Sequence, residues 1–185
     1  MSTPRRVRAD ARRNSDALLE AATEVFATAG VDAPVRDVAA RAGVGVGTVY
    51  RHYPKRSDLV AAVFRHQVDA CADAAPPLAA AYGPAEALDR WLARFVDFLA
   101  TKRGLAAALH SGDPAFDALP AYFDARFRPA LTTLLDAAVA AGEVRDDVSA
   151  TDLLHAVAHL CLPADGVGPD HARRMAAVLV DGLRR

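Results

Sequence analysis

The stretch Ala39–Tyr53, AARAGVGVGTVYRHY, decides how this chain folds. Three glycines, two tyrosines, two arginines and a histidine crowd into a segment whose neighbours are long and alanine-rich. Leading into it, Val35, Val38, Ala39 and Ala42 keep a helical period for about two turns, with Asp32 and Pro34 as start signals and Gly43 as the stop. Beyond Gly43, Val44, Val46, Val49 and Tyr50 form a second short helix that Pro54 forbids from continuing. Two short helices joined by a tight glycine turn and followed by a longer amphipathic helix are what a helix-turn-helix requires. The small Ala39 lets the helices approach, Gly43 takes the turn and Val49 packs the second helix on the first. Gly45 and Gly47 keep the start of the second helix thin, so that backbone N–H groups can come close to phosphates or base edges. Thr48, Tyr50, Arg51 and His52 then project from a helix too short to need them all for solubility.

Outward from this motif the pattern stays helical. Leu18, Ala22, Val25, Phe26 and Ala29 give one apolar stripe to a helix from about Asp10, ended by Gly30. A longer helix is predicted from Lys55–Asp58 to about Ala74 on Leu59, Val60, Val63, Phe64, Val68 and Cys71, and the run APP is expected to break it. Helices follow from about Pro84 to Lys102, briefly at Gly104–His110, and from Leu119 to Ala141, where Pro129 is placed to kink or split the last. SATD at Ser149–Asp152 resembles a capping box and opens a helix to about Leu162; Asp170–Leu183 closes the chain. The sum is an all-α chain of about nine helices with no convincing strand.

Length and composition agree. The 185 residues are 52% hydrophobic, dominated by alanine and leucine, which suits a mainly helical chain with a substantial core. No run reaches the roughly 20 apolar residues of a membrane span, and the charged N-terminus lacks the apolar stretch of a secretion signal, so a cytoplasmic protein is expected. Cys71 and Cys161 lie far apart without metal-ligand neighbours and are expected as buried free thiols. The net charge of −1 conceals an asymmetry: residues 1–56 hold ten basic and six acidic side chains, and residues 57–185 hold twelve and seventeen. A basic head on an acidic body suggests that the head meets a polyanion.

Together, Leu18, Leu19, Ala22, Phe26, Gly30, the run VRDVAARAGVGVGTVYRHYP and Leu59 resemble the N-terminal domain of TetR-type transcriptional regulators. The resemblance implies a homodimeric repressor that a small effector releases from a double-stranded DNA operator. It implies a DNA-binding domain over 1–56, with 1–12 a basic, flexible arm, and a ligand-binding and dimerisation domain over 57–185. Carried onto this sequence, it lays Val46–His52 in the major groove, puts Tyr50 on a phosphate, and makes Arg36, Lys55 and Arg56 further contacts. Ala33 and Pro34 stand where the family often has Thr or Ser, and Lys55 replaces a small cap, leaving Ser57 or Asp58 for that role. Val46 can read a base only by apolar contact, for example with a thymine methyl.

In the acidic half, Trp91, Phe95, Leu99, Tyr122, Phe123 and Phe127 fall on stripes that can face one another as an apolar ligand pocket, with His110, His155 and His159 as its polar groups. His155 and His159 have zinc-ligand spacing but no converging third ligand, so no metal or other cofactor is expected. Leu153, Val157 and Leu160, with Met175, Val178, Leu179 and Leu183, give the last two helices apolar stripes, and the family resemblance pairs these with their symmetry mates. Neither a Ser/His/Asp spacing nor a phosphate loop is present, and catalysis is not expected. The alternative is a helical small-molecule carrier or sensor with a weakened DNA-binding head.

Overall fold

The computed structural model describes residues 4–102, 111–161 and 169–184. Among them are nine α-helices, a short 3-10 turn and no strand beyond one isolated bridge between Val144 and Arg184. The helices are α1 (Pro4–Ala29), α2 (Val35–Ala42), α3 (Val46–His52), α4 (Arg56–Ala72), α5 (Ala75–Ala81), α6 (Pro84–Lys102), α7 (Leu119–Ala140), α8 (Ala150–Leu160) and α9 (Pro169–Asp181). The helix expected at Gly104–His110 and the end expected at Leu162 for the helix from Ser149 lie outside the described residues.

The chain divides into two compact units. One gathers the described residues of 1–66 and 104–119, the other those of 67–103 and 120–185. The first eleven residues of α4 thus belong with the helix-turn-helix and its remainder with the second unit.

In the first unit, α1 starts at Pro4 and not near Asp10, so the segment expected as a flexible arm is helical from Pro4 onward. Proline is tolerated in a helix's first turn, and the alanines and arginines that follow are good helix formers. Leu18, Leu19, Ala22 and Phe26 are its buried stripe, and Gly30 (φ +79°) ends it with its N–H on the Phe26 carbonyl. Gly43 (φ +67°) ends α2: its own N–H and that of Val44 turn back to the carbonyls of Ala40 and Ala39 at 3.2 and 3.0 Å. A left-handed residue closing two helical carbonyls is the geometry glycine supplies without penalty. Val38, Ala39 and Val49 are buried at 0–1% exposure and hold α2 and α3 together.

The second unit is built on α6 and α7. Trp91 and Phe95 from α6, and Phe127, Leu131 and Leu134 from α7, are each no more than 1% exposed. The helix α5 was not expected. Pro76 and Pro77 sit in its first turn, where the missing N–H groups have no intrahelical partner to lose, so the prolines that follow the end of α4 also start a helix. Pro129 likewise leaves α7 continuous across Leu119–Ala140. Ser149 caps α8 as its spacing suggested, its hydroxyl oxygen accepting from the Asp152 N–H at 3.1 Å. Glu143 performs the same service at the start of α6, accepting from Ala85 N–H at 2.8 Å. Cys71 and Cys161 are both buried and no disulfide joins them.

Candidate functional site

The helix α3 is held by one side chain. Val49 is 1% exposed, while Val46, Gly47, Tyr50, Arg51 and His52 are exposed and Thr48 is half-buried. Seven residues with a single buried anchor leave nearly the whole helix facing solvent, with valine and tyrosine among the exposed positions. Leaving Val46 at 39% and Tyr50 at 51% exposed costs burial energy that a purely structural helix would recover. No heavy atom outside the local backbone lies within 4 Å of where a Cβ at Gly45 or Gly47 would stand, so the helix start presents bare backbone to solvent. Gly45 is the N-cap residue and offers no side-chain acceptor, so the first N–H groups of α3 have no side-chain cap.

Arg36 is exposed on the first turn of α2 with only a loose 3.6 Å approach to Asp37. Lys55 is exposed and is the residue before α4, its N–H bound by Asp58 Oδ2 at 3.0 Å. Asp58 therefore supplies the return half of a capping arrangement, and neither it nor Ser57 is the N-cap residue that the sequence suggested. Arg56 departs further from expectation. Its guanidinium is half-buried and donates to the Val31 carbonyl and, at 2.7 Å, to the Ala33 carbonyl. It ties the start of α4 to the loop before α2, which has no side-chain cap because Pro34 occupies the N-cap position. The guanidinium donates to two loop carbonyls and has no acceptor for the first N–H groups of α2, so Arg56 organises the loop without capping the helix. Sequence reasoning also missed Arg41, which clamps α2 to Glu24 of α1.

In the second unit the predicted rings converge on each other. Trp91 stacks on Phe95 at 5.6 Å between centroids, Phe127 meets Phe95 at 5.1 Å, and Phe123 meets Phe127 at 4.6 Å. Phe98, not singled out from the sequence, joins them at 5.2 Å from Phe127. Leu99 is buried and Tyr122 half-buried. The rings pack as a cluster and line none of the concavities of about 280, 300 and 320 Å³ that described residues bound. His110 lies outside the described residues. His155 and His159 are exposed, His159 Nδ1 lying 2.7 Å from the His155 carbonyl, so they do not join the aromatic cluster. Their positions four apart on α8 fall on its polar face, opposite the stripe of Leu153, Leu154 and Val157. Among the described residues no group of three or more His, Cys, Asp or Glu side chains could hold a metal ion.

Polar contacts from α6 and α7 fasten the end of α4 beside these rings. The Trp91 indole N–H donates to the Cys71 carbonyl at 3.0 Å. The Tyr122 hydroxyl donates to the Asp69 carboxylate at 2.7 Å, and Arg126 joins Asp69 at 2.6 Å and Asp73 at 2.5 Å. These contacts hold the Arg126 guanidinium above its ordinary pKa, its hydrogen bonds to Asp69 and Asp73 being the main cause. Asp69 lies in the last turn of α4 and Asp73 just beyond its end, while Tyr122 and Arg126 are four apart on α7, so two donors of one helix meet two carboxylates at the end of the other.

At the chain's end, Leu153, Val157 and Leu183 are buried within the protomer, Leu160, Met175 and Leu179 are half-buried, and Val178 is 63% exposed. Val148, Ala156, Val178 and Leu179 border an open groove of about 300 Å³ between α8 and α9.

The family model described as bacterial regulatory proteins, tetR family, matches residues 18–63, and that of the SbtR-like transcriptional regulator C-terminal domain matches residues 83–185. The chain is similar to the TetR transcriptional regulator SCO0520 of Streptomyces coelicolor, 40% identical with a TM-score of 0.77 over 91% of this chain and 97% of that one. It is similar also to a TetR regulatory protein of Mycobacterium vanbaalenii, 38% identical with a TM-score of 0.78 over 97% and 99%. The HTH-type transcriptional repressor LfrR of Mycolicibacterium smegmatis is 47% identical over 57 residues, a match spanning 31% of this chain and 30% of that protein. No helix among the described residues is long and apolar enough to cross a membrane. With both the helix-turn-helix and more than half its length matched, this chain belongs to the TetR family of bacterial transcriptional regulators.

Proposed function

We propose that this chain is a repressor that binds a pseudo-palindromic operator as a homodimer and leaves it when a small apolar or amphipathic effector binds the second unit. The observation that carries the reading is α3, a helix with one buried residue and an exposed face of Val46, Gly47, Tyr50, Arg51 and His52. An α-helix fits the major groove, and there a thin glycine edge allows close approach while arginine and tyrosine reach phosphates or bases. Arg36 and Lys55 add charge at its margins; Arg56 acts by holding the loop before α2.

The same helix, α4, carries Arg56 at its start and receives Trp91, Tyr122 and Arg126 at its end. An effector that separates the rings of α6 and α7 shifts those contacts, and the shift reaches the loop held by Arg56. For each tenfold loss of operator occupancy the effector must favour the non-binding state by about 1.4 kcal/mol. Val178, exposed beside the groove of α8 and α9, supplies the apolar surface on which two protomers meet.

Selection of bound fragments from random DNA with the purified protein tests head and symmetry together. The expected product is an inverted repeat with half-site centres about 10 base pairs apart or a multiple of that, matching a twofold dimer. Recovery of no preferred sequence, with binding insensitive to salt, would favour the carrier reading instead.

A further inference from the structure

Among the described residues one buried side-chain oxygen or nitrogen has no hydrogen-bond partner: Oε1 of Gln67. Buried polar atoms are paired in the great majority of cases, and an unmet acceptor costs about 1–3 kcal/mol, so the exception calls for a cause. Gln67 lies on the inward stripe of α4, three residues after Phe64 and four before Cys71, both buried. Gln67 as a whole is half-buried, but its Oε1 atom is shut off from solvent. Three donors that α6 and α7 direct at the end of α4 are engaged elsewhere. The Trp91 N–H is bound to the Cys71 carbonyl, and the Tyr122 hydroxyl and Arg126 to Asp69. A glutamine with its acceptor unmet, one turn before the Cys71 carbonyl that the cluster's Trp91 binds, is poorly explained by packing, which leucine or methionine would serve better.

We infer that Gln67 Oε1 is the polar anchor of the effector site and that the effector presents a hydroxyl or N–H donor on an apolar or aromatic body. The inference rests on the effector reading proposed above and deepens it. The aromatic cluster gives affinity for the body of the molecule, and Gln67 selects among bodies of equal shape by rewarding a donor. A hydrogen bond gained at an oxygen that is otherwise unmet separates a hydroxyl compound from its methyl isostere more sharply than the same bond at a solvated site.

The test uses 2-naphthol and 2-methylnaphthalene, alike in shape and differing in one donor, titrated calorimetrically into the whole protein and into Gln67→Leu. For the wild type 2-naphthol is expected to bind about five- to tenfold tighter than the hydrocarbon, one hydrogen bond's worth. In Gln67→Leu that ratio should fall to about one while the hydrocarbon still binds. A ratio unchanged by the substitution, or loss of both probes from a folded variant, overturns the role of Gln67 and leaves the aromatic site standing. No saturable binding of either probe to the wild type overturns the inference and the aromatic effector site together. Should the leucine variant fail to fold, Gln67→Met makes the same comparison.

Discussion

The indole N–H of Trp91 points at the backbone carbonyl of Cys71 and meets it at 3.0 Å. Cys71 stands in the last turn of α4, where carbonyls have no intrahelical partner, so a ring from α6 finishes a helix that otherwise relies on a 3.3 Å bond from Ala74 N–H. Trp91 is also the chain's one tryptophan and its ring is fully buried. Replacing it by phenylalanine keeps an aromatic ring but removes the donor and part of the volume. Trp91→Phe should lower stability by about 1–3 kcal/mol, read from the midpoint of urea unfolding followed by circular dichroism.

The glycines of the turn and of α3 should respond in opposite directions. Gly43 has a left-handed φ of +67°, so Gly43→Ala is strained whatever the space around it and should cost about 1–2 kcal/mol. Gly47 has no positive φ and open space where a Cβ would stand, so Gly47→Ala should raise stability by about 0.4–1 kcal/mol. The same methyl group thickens the proposed DNA-facing edge and should weaken binding to a selected operator roughly tenfold, or about 1.4 kcal/mol. Thermal unfolding and fluorescence anisotropy on the two variants read both effects.

Two arginines of the head divide the electrostatic work. Arg51 is exposed on α3, whereas the Arg56 guanidinium is bound to the Val31 and Ala33 carbonyls. Arg51→Ala should reduce the slope of log K against log salt by about 0.9, the share of one phosphate contact. Arg56→Ala should leave that slope nearly unchanged while lowering stability by about 1–3 kcal/mol, because two loop carbonyls lose their donor. A slope that drops for Arg56→Ala as for Arg51→Ala would return Arg56 to the phosphate.

Val178, at 63% exposure, is the prominent apolar side chain of the α8–α9 groove. Val178→Glu introduces a carboxylate that the isolated protomer tolerates in water. Within a dimer interface the unpaired charge should cost about 3–5 kcal/mol, so the dimer should dissociate at concentrations where the wild type does not. Sedimentation equilibrium reports the change, and a wild type already monomeric would refute it.

Burial holds the Cys71 thiol at a pKa of about 12, against an ordinary 9.0. A pKa raised by folding means that the stabilising effect is complete below the unfolded value and is lost as pH rises from 9.0 toward 12. Urea midpoints should therefore fall through that range, and less so for Cys71→Ala after allowance for its own lower starting stability. With thiolate so disfavoured, Ellman's reagent should leave Cys71 untouched in the native protein at about pH 8 and react once it is unfolded.

The sequence by itself determined the helical architecture and the helix-turn-helix. Ala39, Gly43, Val49 and the period of their neighbours depend on near-neighbour geometry, which a linear chain displays directly. Ser149 was legible as a cap for the same reason, its partner being three residues away. Local rules misled where one residue type has two uses. The break read at Ala75–Pro77 holds, α4 ending at Ala72, but Pro76 and Pro77 also form the first turn of α5, since proline ends a helix from within and starts one from its edge. The register of a single helix could not show that Arg56 spends its charge on Val31 and Ala33, or that Tyr122 and Arg126 meet Asp69. Those outcomes depend on which surfaces meet across 23 to 57 residues of chain, as in Arg56 to Ala33 and Arg126 to Asp69. Tertiary structure alone decided that the aromatic residues pack on one another and that a single glutamine oxygen among the described residues is left unmet, because both follow from the packing of distant helices.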